Sequence, residues 1–325
     1  MIDFTSMNIR IWSRLGSCGA FGQAALDLPE VNDRAVILTA DLCSFSGLER
    51  FKSKYPDRLY NIGIAEQNMV CMAAGFAKEG FVPFATSYAT FLSMRSADQV
   101  KVSMGYMGLP VKLVGMTSGY SVGILGPTHM SLEDIAVMRT LPNVGILSPA
   151  DCTATVKATL AAAQLDAPVY LRLTGTMNCP IVYKEDFEFE VGKAITLREG
   201  AEVSIIATGS MVHNSLKAAE ALEELGISAE VVDMHTIQPL DREAIEKACA
   251  KKLLVTVEEH SAVGGFGSAV AEVLALKKER PPHLIIGTRG NYPHAGDYAF
   301  HLEHSGLTAP QIAKQITETY KELFS

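Results

Sequence analysis

The sequence has 325 residues, 48% hydrophobic and 20% charged, enough apolar material for two cores at about 150 residues per domain without disulfide or metal staples. Twenty-eight Lys and Arg against 36 Asp and Glu give a formal net charge of −8, which argues against a nucleic-acid or anionic-membrane partner, because both need a basic face. The six cysteines, at 18, 43, 71, 152, 179 and 249, show no C-x-x-C or paired zinc spacing and read as reduced thiols of a cytoplasmic protein; neither a signal peptide nor a membrane span is expected.

In chain order, short apolar runs alternate with amphipathic patterns. Strands are predicted at 35–42 (AVILTADL), 59–64 (LYNIGI), 81–87 (FVPFATS), 111–117 (VKLVGMT), 144–149 (VGILSP) and 168–174 (PVYLRLT), and helices at 65–80, 90–104, 131–141 and 150–165. Ser131 with Asp134, and Pro149, read as helix-start signals. Residues 181–190, within a charged stretch broken by Pro and Gly, form a predicted linker between a unit of 1–180 and one of 191–325. The second unit repeats the alternation: strands at 203–209, 228–234, 252–259 and 283–289, helices at 211–226, 241–250, 265–276 and 309–323. Runs this short, separated by helices, predict two open α/β layers built on parallel sheets, where ligands bind beyond the carboxyl ends of the strands.

Several residues at such strand ends carry chemistry. Glu66 follows LYNIGI and opens a helix. Two readings stand beside each other: a carboxylate favoured by the helix dipole, or a desolvated proton donor and acceptor in largely uncharged sequence. Tyr88 and Phe91, just past FVPFATS, are core residues or the walls of a flat heteroaromatic ring. His129, in the rigid loop Gly126-Pro127-Thr128-His129, is a polar surface residue or a proton shuttle and donor to an oxyanion. GGFGSAV (264–270) and ATGSMVHNS (207–215) are glycine turns into helices. There is no GxxxxGK[ST] phosphate loop.

Taken together, longer segments resemble a known family. DLCSFSGLERFKSKYPDRLYNIGIAEQNMVCMAAGFAKEGFVPFATSYATFLSMRSADQVK, followed by GPTHMSLEDIAVMRTLPNVGILSPAD, is similar to the pyrimidine-binding domain of transketolases. ATGSMV…VVDMHTIQPLD…VEEHSAVGGFGSAVAEV is similar to their C-terminal domain. The resemblance covers essentially the whole chain and lacks the family's N-terminal, diphosphate-binding domain. It therefore implies the C-terminal subunit of a split transketolase, transferring a two-carbon ketol unit from a ketose to an aldose. The only Gly-Asp pair, Gly296-Asp297, leads into Tyr298, unlike the Gly-Asp-Gly…Asn segment with which thiamine-diphosphate enzymes hold magnesium and diphosphate. The implied cofactors are thiamine diphosphate and Mg²⁺, the metal and diphosphate being held mainly by a partner N-terminal subunit in a two-plus-two heterotetramer. No metal ligand is expected on this chain.

By resemblance, Glu66 bonds the cofactor's aminopyrimidine and acts with His129 in catalysis; Tyr88 and Phe91 surround the ring, and Met94 falls where a further aromatic is common. Asp41 belongs to the cofactor or interface shell, His129 binds substrate, and Arg14, in SRLGS, grips a terminal phosphate. Three departures stand out. Thr117 occupies the place of a His, Leu125 that of an Asp, and Thr174 or Gly175 that of a second phosphate-binding Arg. Loss of a bidentate guanidinium points to an altered donor, such as a branched, sulfonated or unphosphorylated sugar. The rivals are a 1-deoxyxylulose-5-phosphate synthase, the beta subunit of a 2-oxo-acid dehydrogenase, and a non-catalytic regulatory paralogue.

Overall fold

The computed structural model describes residues 2–290 and 292–324. Its strands are β1 (Ala35–Thr39), β2 (Leu59–Asn61), β3 (Val82–Tyr88), β4 (Lys112–Ser118), β5 (Gly145–Leu147), β6 (Val169–Thr174), β7 (Ile195–Arg198), β8 (Val203–Ala207), β9 (Ala229–Asp233), β10 (Thr236–Gln238), β11 (Leu253–Ser261) and β12 (His283–Thr288). They form a seven-stranded sheet ordered β10-β5-β6-β4-β3-β1-β2 and a five-stranded sheet ordered β12-β11-β8-β9-β7. Every pairing is parallel except β10 with β5 and β7 with β9, both antiparallel edges. β1, β4, β6, β8 and β9 are buried at every position, as continuous apolar runs require when helices cover both faces of a sheet.

The two sheets are joined by more than chain continuity. β10 comes from the second half of the sequence but pairs with β5, Thr236 opposite Leu147. One apolar cluster includes Val36, Met69 and Ile135 from the first sheet's layers with Ile206, Leu254 and Phe266 from the second's. No helix among the described residues is long and apolar enough to cross a membrane.

The structure departs from the sequence reading in several places. Residues 90–104 are not one helix: π-helical turns at Phe91–Arg95 and Lys101–Tyr106 flank a short α-helix, Ala97–Val100. Ser131 does not cap a helix. The helix starts at Asp134, and Ser131 instead exchanges backbone bonds with Gly119. Asp151, rather than Pro149, opens the helix Cys152–Gln164 by accepting the Ala154 amide at 2.8 Å. A 20-residue helix, Ser6–Ala25, precedes the first sheet and kinks at Gly16, whose φ of 75° and ψ of 177° are non-helical. A β-carbon there would stand 2.9 Å from the Thr176 carbonyl oxygen, so glycine is what lets segments 13–16 and 176–179 meet.

Candidate active site

The carboxyl ends of β1, β2, β3, β4 and β6 deliver the candidate residues to one rim of the first sheet. Glu66 is the first residue of the helix Glu66–Lys78 and is 2% exposed. Its Oε1 accepts from the Ser87 hydroxyl at 2.9 Å and its Oε2 from Arg95 Nη1 at 2.8 Å. The uncharged surroundings expected from the sequence are therefore not what the fold provides. The π-helical turn carries Arg95 back over the start of the Glu66 helix, which a plain α-helical reading of 90–104 does not foresee. Such turns recur at functional sites. The Arg95 guanidinium also lies 3.8 Å from the centre of the Phe91 ring, a cation–π contact that ties the acid to the aromatic residues.

Those aromatics form a continuous wall. Tyr88 and Phe91 meet edge to face at 5.6 Å, and the His129 ring contacts Tyr88 at 5.5 Å and Phe91 at 5.2 Å. Phe45 extends the wall to Tyr88 at 5.3 Å. Burial raises the Tyr88 phenol above its ordinary pKa, so it stays neutral and acts through shape. His129 Nδ1 pairs with Thr128 Oγ1 at 3.0 Å. Tyr88, Phe91 and His129 are each only half-buried, and the wall opens outward.

The remaining candidates are less engaged. Asp41, exposed, is locked to Asn61: its amide donates to Asn61 Oδ1 at 3.0 Å, and Asn61 Nδ2 donates to its Oδ1 at 2.9 Å. Met94 is 52% exposed. Arg14 is exposed on the kinked helix beside the loop after β6, where Cys179 N donates to Ser13 O at 2.9 Å. The structure thus joins Tyr88, Phe91 and His129 directly, links Glu66 to Phe91 through Arg95, and ties the Arg14 backbone to Asn178, whose amide donates to Arg14 O at 3.4 Å. Two residues at the rim adopt left-handed backbone, Asp41 with φ 61° and Thr117 with φ 53°. For a β-branched Thr this is an outlier, and such strain gathers at functional sites. Thr117 is buried, and its hydroxyl donates to Met116 O at 2.7 Å.

The carboxyl groups and rings fit one flat, polar-edged heterocycle: a buried carboxyl to bond its edge and an aromatic wall for its face. Comparison with known proteins identifies the family. The transketolase pyrimidine-binding domain matches residues 17–178 and the transketolase C-terminal domain residues 192–312. A Methanocaldococcus jannaschii protein named as a transketolase C-terminal section is 39% identical over 93% of this chain and 95% of its own length. The chain belongs to the transketolase family. A second transketolase relative, the 6-deoxy-6-sulfo-D-fructose transketolase subunit of Clostridium sp. strain MSTE9, is 40% identical over 90% of this chain and 92% of that subunit. Among solved structures, a split-gene transketolase described as an inactive β4 tetramer superposes with a TM-score of 0.84 at 36% identity, covering 94% of this chain and 97% of the other.

Arg95 was missed by the sequence reading. Its signal, an arginine four residues beyond Phe91, has meaning only once the π-turn is known. Among the described residues, no group of three or more His, Cys, Asp or Glu side chains is arranged to hold a metal ion.

Proposed function

We propose that this chain is the pyrimidine-binding subunit of a two-chain, thiamine-diphosphate-dependent transketolase that moves a two-carbon ketol unit from a ketose to an aldose. The observation that carries the reading is the buried Glu66 carboxyl, bonded by Ser87 and Arg95 beneath the Tyr88–Phe91–His129 wall. Residues 1–180 form the cofactor-facing unit and 191–325 the C-terminal unit. A partner N-terminal subunit supplies the Mg²⁺ and diphosphate grip, in a two-plus-two assembly in the cytoplasm. Exposed apolar side chains close in sequence to the site residues support a covering partner: Ile64 is 77% and Ile124 71% exposed.

Bound thiamine diphosphate supplies the thiazolium nucleophile and the electron sink for carbon–carbon cleavage and formation. This chain's part is positional and protonic. Glu66 holds a proton at the aminopyrimidine edge, oriented by Ser87 and Arg95. Tyr88 and Phe91 exclude water from the ring face, with Asp41 and Met94 at the margin of that shell. His129, its Nδ1 engaged by Thr128, presents Nε2 to a substrate oxygen. Arg14 binds a terminal anion. With Thr174 or Gly175 where a second arginine would stand, one clamp remains, so the donor differs from an ordinary pentose phosphate; the sulfonated-sugar activity in the Clostridium relative's name fits such a change.

The test is reconstitution with an N-terminal subunit. Ketol transfer that requires both chains, thiamine diphosphate and Mg²⁺, with a high KM for xylulose 5-phosphate, is the expected result. Pyruvate decarboxylation instead of ketol transfer would replace this reading with a synthase- or dehydrogenase-like one. Absence of any cofactor binding by the pair would favour a regulatory paralogue.

A further inference from the structure

The loop that carries His129 begins and ends at one point. Gly119 N donates to Ser131 O at 2.9 Å and Ser131 N to Gly119 O at 3.1 Å, closing residues 119–131 into a lasso. The end of β11, from the other sheet, holds the neck of that lasso on both sides. At its start, Tyr120 N donates to Glu259 Oε1 at 2.6 Å. At its finish, Ser261 N donates to Leu132 O at 2.8 Å. Between them, Arg172 Nη2 donates to Glu259 O at 2.9 Å and reaches Ser131 O at 3.4 Å.

Glu259 is 1% exposed, and its second oxygen accepts from the Ser210 hydroxyl and, at 2.6 Å, from Tyr298 Oη. Three donors thus converge on one buried carboxylate from the loop, the glycine turn after β8 and the helix Tyr298–His304. Burial raises the Glu259 pKa while these three hydrogen bonds hold it down, and donors closing on both oxygens are the arrangement a fixed anchor needs. The fit is close. A β-carbon on Gly119, whose φ is +66°, would lie 2.2 Å from Glu259 Oε1.

We infer that Glu259 is a positioning residue: from the C-terminal unit it fixes the 119–131 loop and so sets His129 against Tyr88 and Phe91. The inference deepens the transketolase reading in its kinetic consequence but not in its structural one, and two separate readouts keep them apart.

Hydrogen exchange is measured on the chain itself, unmodified and as Glu259→Gln, Glu259→Met and Tyr298→Phe. Losing a hydrogen bond to a charged acceptor predicts about ten- to a hundredfold faster exchange across 119–131 in Glu259→Met, with residues 35–118 unchanged. Glu259→Gln keeps an oxygen for Tyr120 N and restores most of the protection. Equal behaviour of Gln and Met would mean that Glu259 merely fills space, which overturns the inference. Should Glu259→Met fail to fold, Tyr298→Phe, which removes one of the two donors to Glu259 Oε2, must speed exchange in the same loop; an unchanged loop overturns the inference. In the reconstituted pair, Glu259→Gln raises the KM for the ketose more than it lowers kcat and leaves the thiamine diphosphate Kd within about twofold. A wild-type KM in an active pair contradicts positioning. A wild-type pair without transfer activity removes the transketolase reading, while the exchange result still decides the role of Glu259.

Discussion

Two sets of ionisable side chains in this molecule are built on opposite plans. At the seam between the sheets, Arg172 and Asp134 pair at 2.8 Å with side chains no more than 1% exposed. Tyr170 Oη donates to the same Asp134 oxygen at 2.7 Å, and Glu258 accepts the Phe266 and Gly267 amides at 2.6 and 2.7 Å. At the rim, Glu66 is equally buried, yet its partner Arg95 is 44% exposed and its aromatic neighbours are half-open. A group of side chains sealed from solvent cannot exchange protons with a ligand without opening. A buried acid whose ion-pair partner and aromatic neighbours are partly open can. Burial of a carboxylate alone therefore does not mark the chemistry; the direction in which its surroundings remain unfinished does.

The contrast can be broken at several points. Glu66→Gln keeps the shape and removes the carboxyl group, so turnover of the reconstituted pair should fall about 10²–10⁴-fold, with thermal stability of the chain nearly unchanged. Arg172→Met should do the reverse. It leaves Asp134 as an uncompensated buried charge, costing about 3–5 kcal/mol in denaturant unfolding. If Arg172→Met is as stable as the parent, the seam is not the structural half of the pair.

The seam also predicts a pH effect. Asp233, whose Oδ2 accepts from Tyr183 Oη at 2.7 Å, is pushed up to about 8, chiefly by burial. Because the folded value lies above the unfolded one, near 3.8, the folded chain binds more protons, and stability declines as pH rises from about 4 to about 8. Asp233→Asn should flatten that part of the Tm-against-pH curve; an unaltered slope would show that Asp233 is not its source. The smallest effect belongs to the margin of the rim. Met94→Ala should change thiamine diphosphate affinity of the pair by less than about threefold, as expected for an exposed side chain, and a larger loss would place Met94 in the ring wall itself.

How much of this could be read beforehand divides along a physical line. Strand positions were legible because fully buried parallel strands are written as uninterrupted runs such as VKLVGMT and PVYLRLT. The helix Ser6–Ala25 was not, since Gly16, Gly19 and Gly22 dilute its pattern and its kink serves contacts with residues 176–179. β10 was missed because three residues carry no period. Within the site, Glu66, Tyr88, Phe91 and His129 were legible as a family pattern and, less sharply, as chemistry at strand ends. Arg95 and Glu259 were not: each acts across the fold, one through a π-turn and one from another sheet, and neither relation leaves a local spacing in the sequence.

The central claim is that Glu66 meets the edge of an aminopyrimidine held against Tyr88 and Phe91. A structure of the assembled pair with thiamine diphosphate and Mg²⁺ tests it directly. The account predicts a Glu66 carboxyl oxygen within hydrogen-bond reach, about 2.6–3.2 Å, of a pyrimidine ring nitrogen. A pyrimidine bound elsewhere, with Glu66 still bonded only to Ser87 and Arg95, would contradict it.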